Sequence, residues 1–372
     1  MSIDTTAMRT IHPDKLHRWV SDLFLTAGSS ATEARLTADH LVLSNLSGHD
    51  SHGVGMVPRY VKAIAAGELV LNQNVEVVTD TGGLMLIDAK RGIGQSVTHQ
   101  AMAIAIQRAH QSGVCVMGLR NSHHLGRVGH WAEQAVSEGL IAIHFTNAVS
   151  QHWVAPYGGA EARFVTNPFT VGIPRPDADG GPIVLDFATS AIAQGKVRVA
   201  YNAKKHTPEG ALIDHEGFPT TNPGVLFEPV NGRTGALTTM AAHKGYALAM
   251  VCELLGAALT GGPVTIPKNQ PKAGVWNNML TIVFDPARFG TQSAFEVATR
   301  EFVEWVQSAK LAEGFDAILM PGDPERQTRK ARAQAVPIDE GTIVEMDAAA
   351  ATIAAASNGR GPGPLSAQMV QV

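Results

Sequence analysis

Two short segments carry imidazoles where they could move protons or hold a metal: His49-Asp50-Ser51-His52-Gly53 and Asn121-Ser122-His123-His124-Leu125-Gly126-Arg127. Histidine titrates near neutrality, so it serves as acid or base at physiological pH, and its neutral ring is a common metal ligand. Each segment also holds a serine and a glycine, so a hydroxyl can bond a ring and other groups can approach closely. Most of the chain's 15 histidines are better read as ordinary surface or satisfied core residues. His52 and His124 stand apart because each lies in a loop beside glycine, the usual setting for site residues on a rigid scaffold. His49 and His52 with His123 or His124 could supply three nitrogens to a metal. That reading is weaker, because no His-Glu-x-x-His helix and no close cysteine ligands accompany them. A histidine-bound metal hydrolase therefore stands as the alternative to proton-transfer chemistry.

Three other places bear on the same chemistry. Asp186 follows the apolar run Ile183-Val184-Leu185, and it either caps a turn or orients a histidine, fixing its tautomer. His243-Lys244-Gly245-Tyr246 opens a long apolar helix; the N–H groups there attract anions and Lys244 adds a full charge, although a solvated lysine is the plain alternative. Thr166-Asn167-Pro168 and Pro321-Gly322-Asp323 are turn sequences by composition.

The elements that must position these residues follow from periodicity. Helices are expected over 13–27, 33–46 (capped by Thr32), 57–66, 96–111, 128–137, 244–259, 295–306 and 347–356. Strands are expected over 75–78, 84–87, 114–119, 141–145, 170–173, 183–185 and 279–284. The first histidine segment then lies between two helices, and the second in the loop between a strand and a helix. The alternation argues for an α/β layered architecture. The glycine fingerprint of a dinucleotide-binding βαβ unit is missing: Gly92-Ile93-Gly94 has Val97 at the third glycine position, and Gly53-Val54-Gly55 follows a helix. A nicotinamide nucleotide would need another frame.

At 372 residues, with 45% hydrophobic and 17% charged residues, the chain fits two domains or one elaborate one. Its charge of -4 is small and its Lys and Arg are scattered, so nucleic acid is not an expected partner. The apolar run 247–259 is too short for a membrane span and is interrupted by Glu253. Cys115 and Cys252 read as core packing. No secretory pattern opens the chain, so a cytoplasmic protein is expected. Residues 358–372, rich in Gly and Pro, are expected to form a flexible tail.

Together these segments make the chain similar to the malate/L-lactate dehydrogenase-like oxidoreductases, a family that includes L-sulfolactate and ureidoglycolate dehydrogenases. In detail it resembles the hydroxycarboxylate dehydrogenase B type. The matching blocks are 49–60, 121–131, 166–168, 185–196, 219–223, 243–261 and 321–323, in family order. The resemblance implies an α/β, L-sulfolactate dehydrogenase-like, non-Rossmann nicotinamide-binding fold. Its largely antiparallel or mixed sheet lies in an inserted cofactor domain (73–240). A helical N-terminal segment (1–72) and a C-terminal part (241–357) complete the site. It implies a homodimer that interconverts 2-oxo acids and L-2-hydroxy acids with NAD, NADP remaining open; some members instead reduce cyclic imines. By position, His52 matches the proton donor or acceptor, supported by Ser51 and Asp186, and His124 matches a histidine given that role in other members. Thr166, Asn167, Asp186, Phe187, Ala188, Lys244, Gly245, Gly322 and Asp323 fall on cofactor-contacting segments, and Tyr60 on a substrate-contacting one. Many relatives carry arginine where this chain has Met56. The expectation is that Arg127 grips the substrate carboxylate instead, leaving an apolar pocket end at Met56 suited to a bulky 2-oxo acid; a surface helix charge is the other reading of Arg127.

Overall fold

Residues 8–175, 180–202 and 204–371 are described by the computed structural model. The chain opens with β1 (Met8–Ile11), α1 (Pro13–Ala27), α2 (Ala31–Leu46) and α3 (Val57–Ala65). Next come β2 (Glu76–Asp80), β3 (Leu84–Asp88), α4 (Gly94–Ser112), β4 (Val114–His123), α5 (Gly129–Val136), β5 (Ile141–Val149), β6 (Phe169–Ile173) and β7 (Ile183–Phe187). Then follow α6 (Gln194–Asn202), the short strands β8 (Leu212–Ile213), β9 (Pro219–Thr220) and β10 (Ala236–Leu237), and α7 (His243–Glu253). The chain finishes with β11 (Trp276–Phe284), α8 (Gln292–Gln307), α9 (Asp323–Ala331), β12 (Val336–Asp339), α10 (Glu340–Ala356) and β13 (Val370–Gln371).

The central sheet has the order β2-β3-β4-β11-β5-β6-β7. Only β3 and β4 pair in parallel, because only they are joined by a crossover helix, α4; the other neighbours are antiparallel. Ile87, Met102, Leu119, Trp131 and Met279 form the core between this sheet and α4 and α5. A second core joins α1, α2 and α3 to α10 through Trp19, Phe24, Leu41, Tyr60, Ile343 and Met346. The two ends of the chain therefore share one core, and most of the sheet lies between them in sequence. Among the described residues no helix is long and apolar enough to cross a membrane.

Several boundaries differ from the expected ones for physical reasons. Ser30, not Thr32, caps α2, its hydroxyl accepting the Glu33 N–H at 3.2 Å. β4 runs on to His123, so the first half of the second histidine segment is strand. α10 begins at Glu340 because Asp339 caps it, accepting the Thr342 N–H at 2.9 Å. α6, α9 and β12 were not expected. Most of the tail is ordered: β13 pairs with β1, Leu365 is buried in the helical core, and the Trp19 indole donates to the Gly363 carbonyl at 2.8 Å.

Candidate active site

The first histidine loop is shaped by Asn45 at the end of α2. Its amide donates to Asp50 Oδ1 at 2.7 Å, and its oxygen accepts the Val54 N–H at 2.8 Å. A Cβ on Gly53 would stand 2.1 Å from that oxygen, which is why glycine sits there. α9 clamps the loop from outside: Arg332 reaches Asp50 Oδ1 at 2.8 Å and Glu325 holds His49 at 3.0 Å. His49 is thus tied to Glu325. The His52 ring is held by Ser51 Oγ at 3.0 Å from Nδ1.

The second loop is fixed by a bulge in β11 between Asn277 and Met279. Bulges re-aim side chains, and here two asparagines are recruited. Asn277 Oδ1 accepts the Leu125 N–H at 2.9 Å and Asn278 Oδ1 accepts the Asn121 N–H at 2.8 Å. Gly94 lets α4 start against this loop, since a Cβ there would lie 2.1 Å from the His124 carbonyl oxygen. His40 Nε2 accepts the Arg127 N–H at 2.9 Å, so that nitrogen carries no proton.

These two scaffolds bring His52 and His124 face to face, ring centroids 5.6 Å apart and 19° from parallel. Tyr60 from α3 places its hydroxyl 2.8 Å from His124 Nδ1, and the Gln95 amide donates to the same hydroxyl oxygen at 2.9 Å. With its oxygen already accepting, Tyr60 donates its proton to Nδ1, and the His124 proton belongs on Nε2. Burial first, then the charge of His49, lowers the His52 pKa to about 4, while Asp186 pulls the other way. Burial, followed by His52, His123 and Arg59, holds His124 well below the usual imidazole range. Both rings are neutral at pH 7. Burial also pushes the Tyr60 phenol upward.

Asp186 closes β7. Its Oδ2 accepts the Gly129 N–H at 2.8 Å, at the start of α5, and its Oδ1 accepts the Thr170 hydroxyl at 2.8 Å. Its carboxylate is therefore held by a helix N-terminus and acts on His52 through space. A Cβ on Gly129 would lie 2.7 Å from Asp186 Oδ2 and 2.6 Å from an Arg127 guanidinium nitrogen, so that glycine keeps the two charges close.

Arg127 is 2% exposed and pairs with Glu133, which also takes Arg329 at 2.6 Å. It is not a surface helix charge: one guanidinium nitrogen, Nη2, is taken by Glu133, while among the described residues Nε and Nη1 have no hydrogen-bond partner. Met56 is 9% exposed and forms apolar wall. Tyr60 is buried, its hydroxyl committed to His124.

The segments expected to meet a cofactor are knitted to the end of β7. The Thr189 N–H bonds the Thr166 carbonyl at 2.9 Å, and the Met240 N–H bonds the Thr189 carbonyl at 2.9 Å, leading into α7. Ala241 and Ala242 both adopt positive φ (46° and 55°), a strained entry to α7 for residues with a Cβ. Lys244 and Gly245 occupy its first turn, and among the described residues the Lys244 ammonium has no partner. Phe187 and Ala188, which follow Asp186 in sequence, are half-buried. The Lys244, Gly245 and Tyr246 N–H groups are bonded to the Ala241, Met240 and Ala242 carbonyls, so the apolar step and the unpaired lysine are what suit the ring and diphosphate of a nicotinamide dinucleotide. Asn167 and Asp323 brace the loops instead. Asn167 accepts the Ala148 N–H at 3.1 Å and donates to Glu253 at 2.8 Å; Asp323 accepts the Met320 N–H at 2.7 Å and Arg326 at 2.6 Å. Gly322, at φ 95°, makes the turn into α9 beside β7. Among the described residues no group of three His, Cys, Asp or Glu side chains could hold a metal ion.

Sequence reasoning missed Gln95, Asn277 and Arg59, the last an α3 arginine whose charge is felt at both His123 and His124. The adjacency of Arg59 to Tyr60 was the available clue.

The chain is similar to known proteins over most of its length. The malate/L-lactate dehydrogenase family model matches residues 11–347. Hydroxycarboxylate dehydrogenase B of Escherichia coli is 44% identical over 331 residues, covering 88% of this chain and 90% of that one. A Δ1-pyrroline-2-carboxylate/Δ1-piperideine-2-carboxylate reductase of Pseudomonas putida is 33% identical over 334 residues, covering 89% and 92%. Among solved structures, sulfolactate dehydrogenase from Methanocaldococcus jannaschii superposes with a TM-score of 0.82 at 29% identity, covering 92% of this chain and 97% of that one.

Proposed function

This chain belongs to the malate/L-lactate dehydrogenase family, and from that premise we propose that it interconverts 2-oxo acids and L-2-hydroxy acids with His52 as the acid/base. Its class is a CH–OH oxidoreductase, and dehydrogenases of the family are nicotinamide-dependent. NAD is the proposed dinucleotide, held by the segments around Phe187, Ala188, Lys244 and Gly245; it supplies or accepts the hydride when bound.

The stacked His52–His124 pair carries the reading. In the tautomer that donates from Nδ1 to Ser51 Oγ, His52 Nε2 is free to take the hydroxyl proton of a 2-hydroxy acid. His124, with its proton on Nε2, donates to the same substrate oxygen and holds it in place. Asp186 stabilises the imidazolium that forms on His52, and Arg127 limits that effect. General acid–base catalysis of this kind is worth about 10²–10⁴ in rate. His52→Gln is therefore expected to lower kcat about 100-fold or more while dinucleotide binding, followed by fluorescence, is retained. Near-normal turnover of that variant would remove His52 from the role. Including a cyclic imine carboxylate in the substrate panel separates carbonyl from C=N reduction.

A homodimer is proposed for the same enzyme. α8 buries only Val303, and it leaves Phe302 (67%) and Trp305 (75%) exposed, as an interface would. A monomeric mass by light scattering at micromolar concentration would dismiss it.

A further inference from the structure

A 2-oxo acid brings a carboxylate, and the histidine pair offers it no charge. Met56 is apolar, Arg127 is buried against Glu133, and the Tyr60 hydroxyl is spent on His124. On α3 and its first turn, residues 56, 59, 60 and 63 share one face by helical spacing. Tyr60 on that face meets the His123 ring at 5.2 Å and the His124 ring at 5.9 Å. Ala63 and His123 both border Gly274: a Cβ there would lie 3.1 Å from the Ala63 methyl and 2.4 Å from His123 Nε2. The face is turned toward the histidines, and Arg59 is its exposed member.

Among the described residues Arg59 forms neither a hydrogen bond nor an ion pair. The arginines of α9 and its C-cap contrast with it: Arg326, Arg329 and Arg332 are each bound to a carboxylate. Opposite stands α6, which packs on the His52 loop so closely that a Cβ on Gly195 would lie 3.2 Å from the Ser51 Cβ. Arg59 is exposed as a residue; partial burial, then the charge of Arg198 on α6, lowers its pKa, and Tyr60 and then Glu345 on α10 offset this in part. An anion beside Arg59 would relieve both effects.

We propose that Arg59 is the cation that binds the carboxylate of the 2-oxo acid, at the rim of the His52–His124 pair. The proposal rests on the function given above. The guanidinium fork matches a carboxylate with two parallel hydrogen bonds, which lysine cannot reproduce. Where bound substrate covers the pair, removing one partner of a buried, hydrogen-bonded charge pair typically costs about 30-fold or more in binding.

The test measures kcat, KM and dinucleotide affinity for Arg59→Gln and Arg59→Lys. Arg59→Gln is expected to raise KM for 2-oxo acids about 30-fold or more, with Arg59→Lys intermediate and dinucleotide affinity within about twofold of wild type. Added guanidinium salt should restore part of the Arg59→Gln activity. A 2-oxo acid methyl ester, which lacks the charge, should serve both enzymes alike. An Arg59→Gln enzyme with unchanged KM, beside a wild type that turns over 2-oxo acids, overturns the assignment alone. A wild type inactive on every 2-oxo acid overturns the functional reading and this assignment with it. Loss of dinucleotide affinity in Arg59→Gln would move Arg59 to the cofactor and equally overturn the proposal.

Discussion

Lowering the pH from 7 to 5 should unfold this protein, and the size of the effect follows from its buried imidazoles. His40, His123, His124 and His144 are each less than a tenth exposed. Burial is the leading cause that lowers all four, His123 and His144 to about 3 and the other two well below the usual range. The folded state keeps these rings neutral, whereas the unfolded chain protonates them near pH 6.5. Their stabilisation is thus fully present above about 6.5 and is lost as pH falls toward the folded values. At pH 5 each ring costs about 2 kcal/mol, because 1.5 pH units below 6.5 are worth about 1.36 kcal/mol apiece. Four rings give about 8 kcal/mol, comparable to the whole stability of a typical domain, roughly 5–15 kcal/mol. Glu33, raised by burial, works in the opposite direction but is a single group. Urea unfolding followed by circular dichroism between pH 7 and 5 should yield a slope of at least four protons taken up on unfolding, because His52 and His130, lowered to about 4 chiefly by burial, add to the four. His144→Gln should reduce that uptake by one. A stability that changes by less than about 1 kcal/mol over the interval would show that these rings are charged in the folded protein, and the argument for a neutral pair would fall with it.

Three other substitutions probe the scaffold. Glu133→Gln strips the counter-charge from the buried Arg127 and is expected to cost about 3–5 kcal/mol in denaturant unfolding. Gly53→Ala forces a methyl onto the Asn45 oxygen and should cost about 1–3 kcal/mol, with a larger fractional loss of kcat than of dinucleotide affinity. Asp186→Asn removes the charge that raises His52, so the acidic limb of the kcat/KM profile should move to lower pH; a limb that stays in place would mean that Asp186 only anchors α5.

What was legible in the sequence was what repeats along it. The periodic apolar positions of α1, α3 and α4, and the apolar runs of β3 to β7, revealed the layers. α9 escaped because Asp323-Pro324-Glu325-Arg326-Gln327-Thr328-Arg329-Lys330-Ala331 has no apolar stripe. It is fastened by ion pairs to Glu133, His49 and Asp50, partners about 190 to 280 residues away. The tail escaped because Gly and Pro mask the single plug, Leu365, that inserts into the helical core. In the site, the histidine loops announced themselves by composition, but their supports did not. Asn277 acts only because β11 bulges there, and Arg127 meets Glu133 only because α5 begins at Gly129. A one-dimensional reading sees Arg127 beside His124 but not that one arm of its guanidinium is held by Glu133.

The placement of charge around His52 accounts for why the carboxylate of Asp186 sits where it does. A carboxylate bonded directly to the ring would stabilise the imidazolium strongly and leave His52 already protonated at neutral pH, unable to act as a base. Asp186 is instead tied to the Gly129 N–H and the Thr170 hydroxyl, and Arg127 stands beside it. Its pull on His52 is therefore weak in the resting enzyme, where burial dominates and keeps the ring neutral. The same attraction acts fully once the ring accepts a proton, so it favours the charged state that proton transfer creates. An anionic substrate bound at Arg59 would add to it, coupling carboxylate binding to the basicity of His52 and restricting proton transfer to molecules that carry the group.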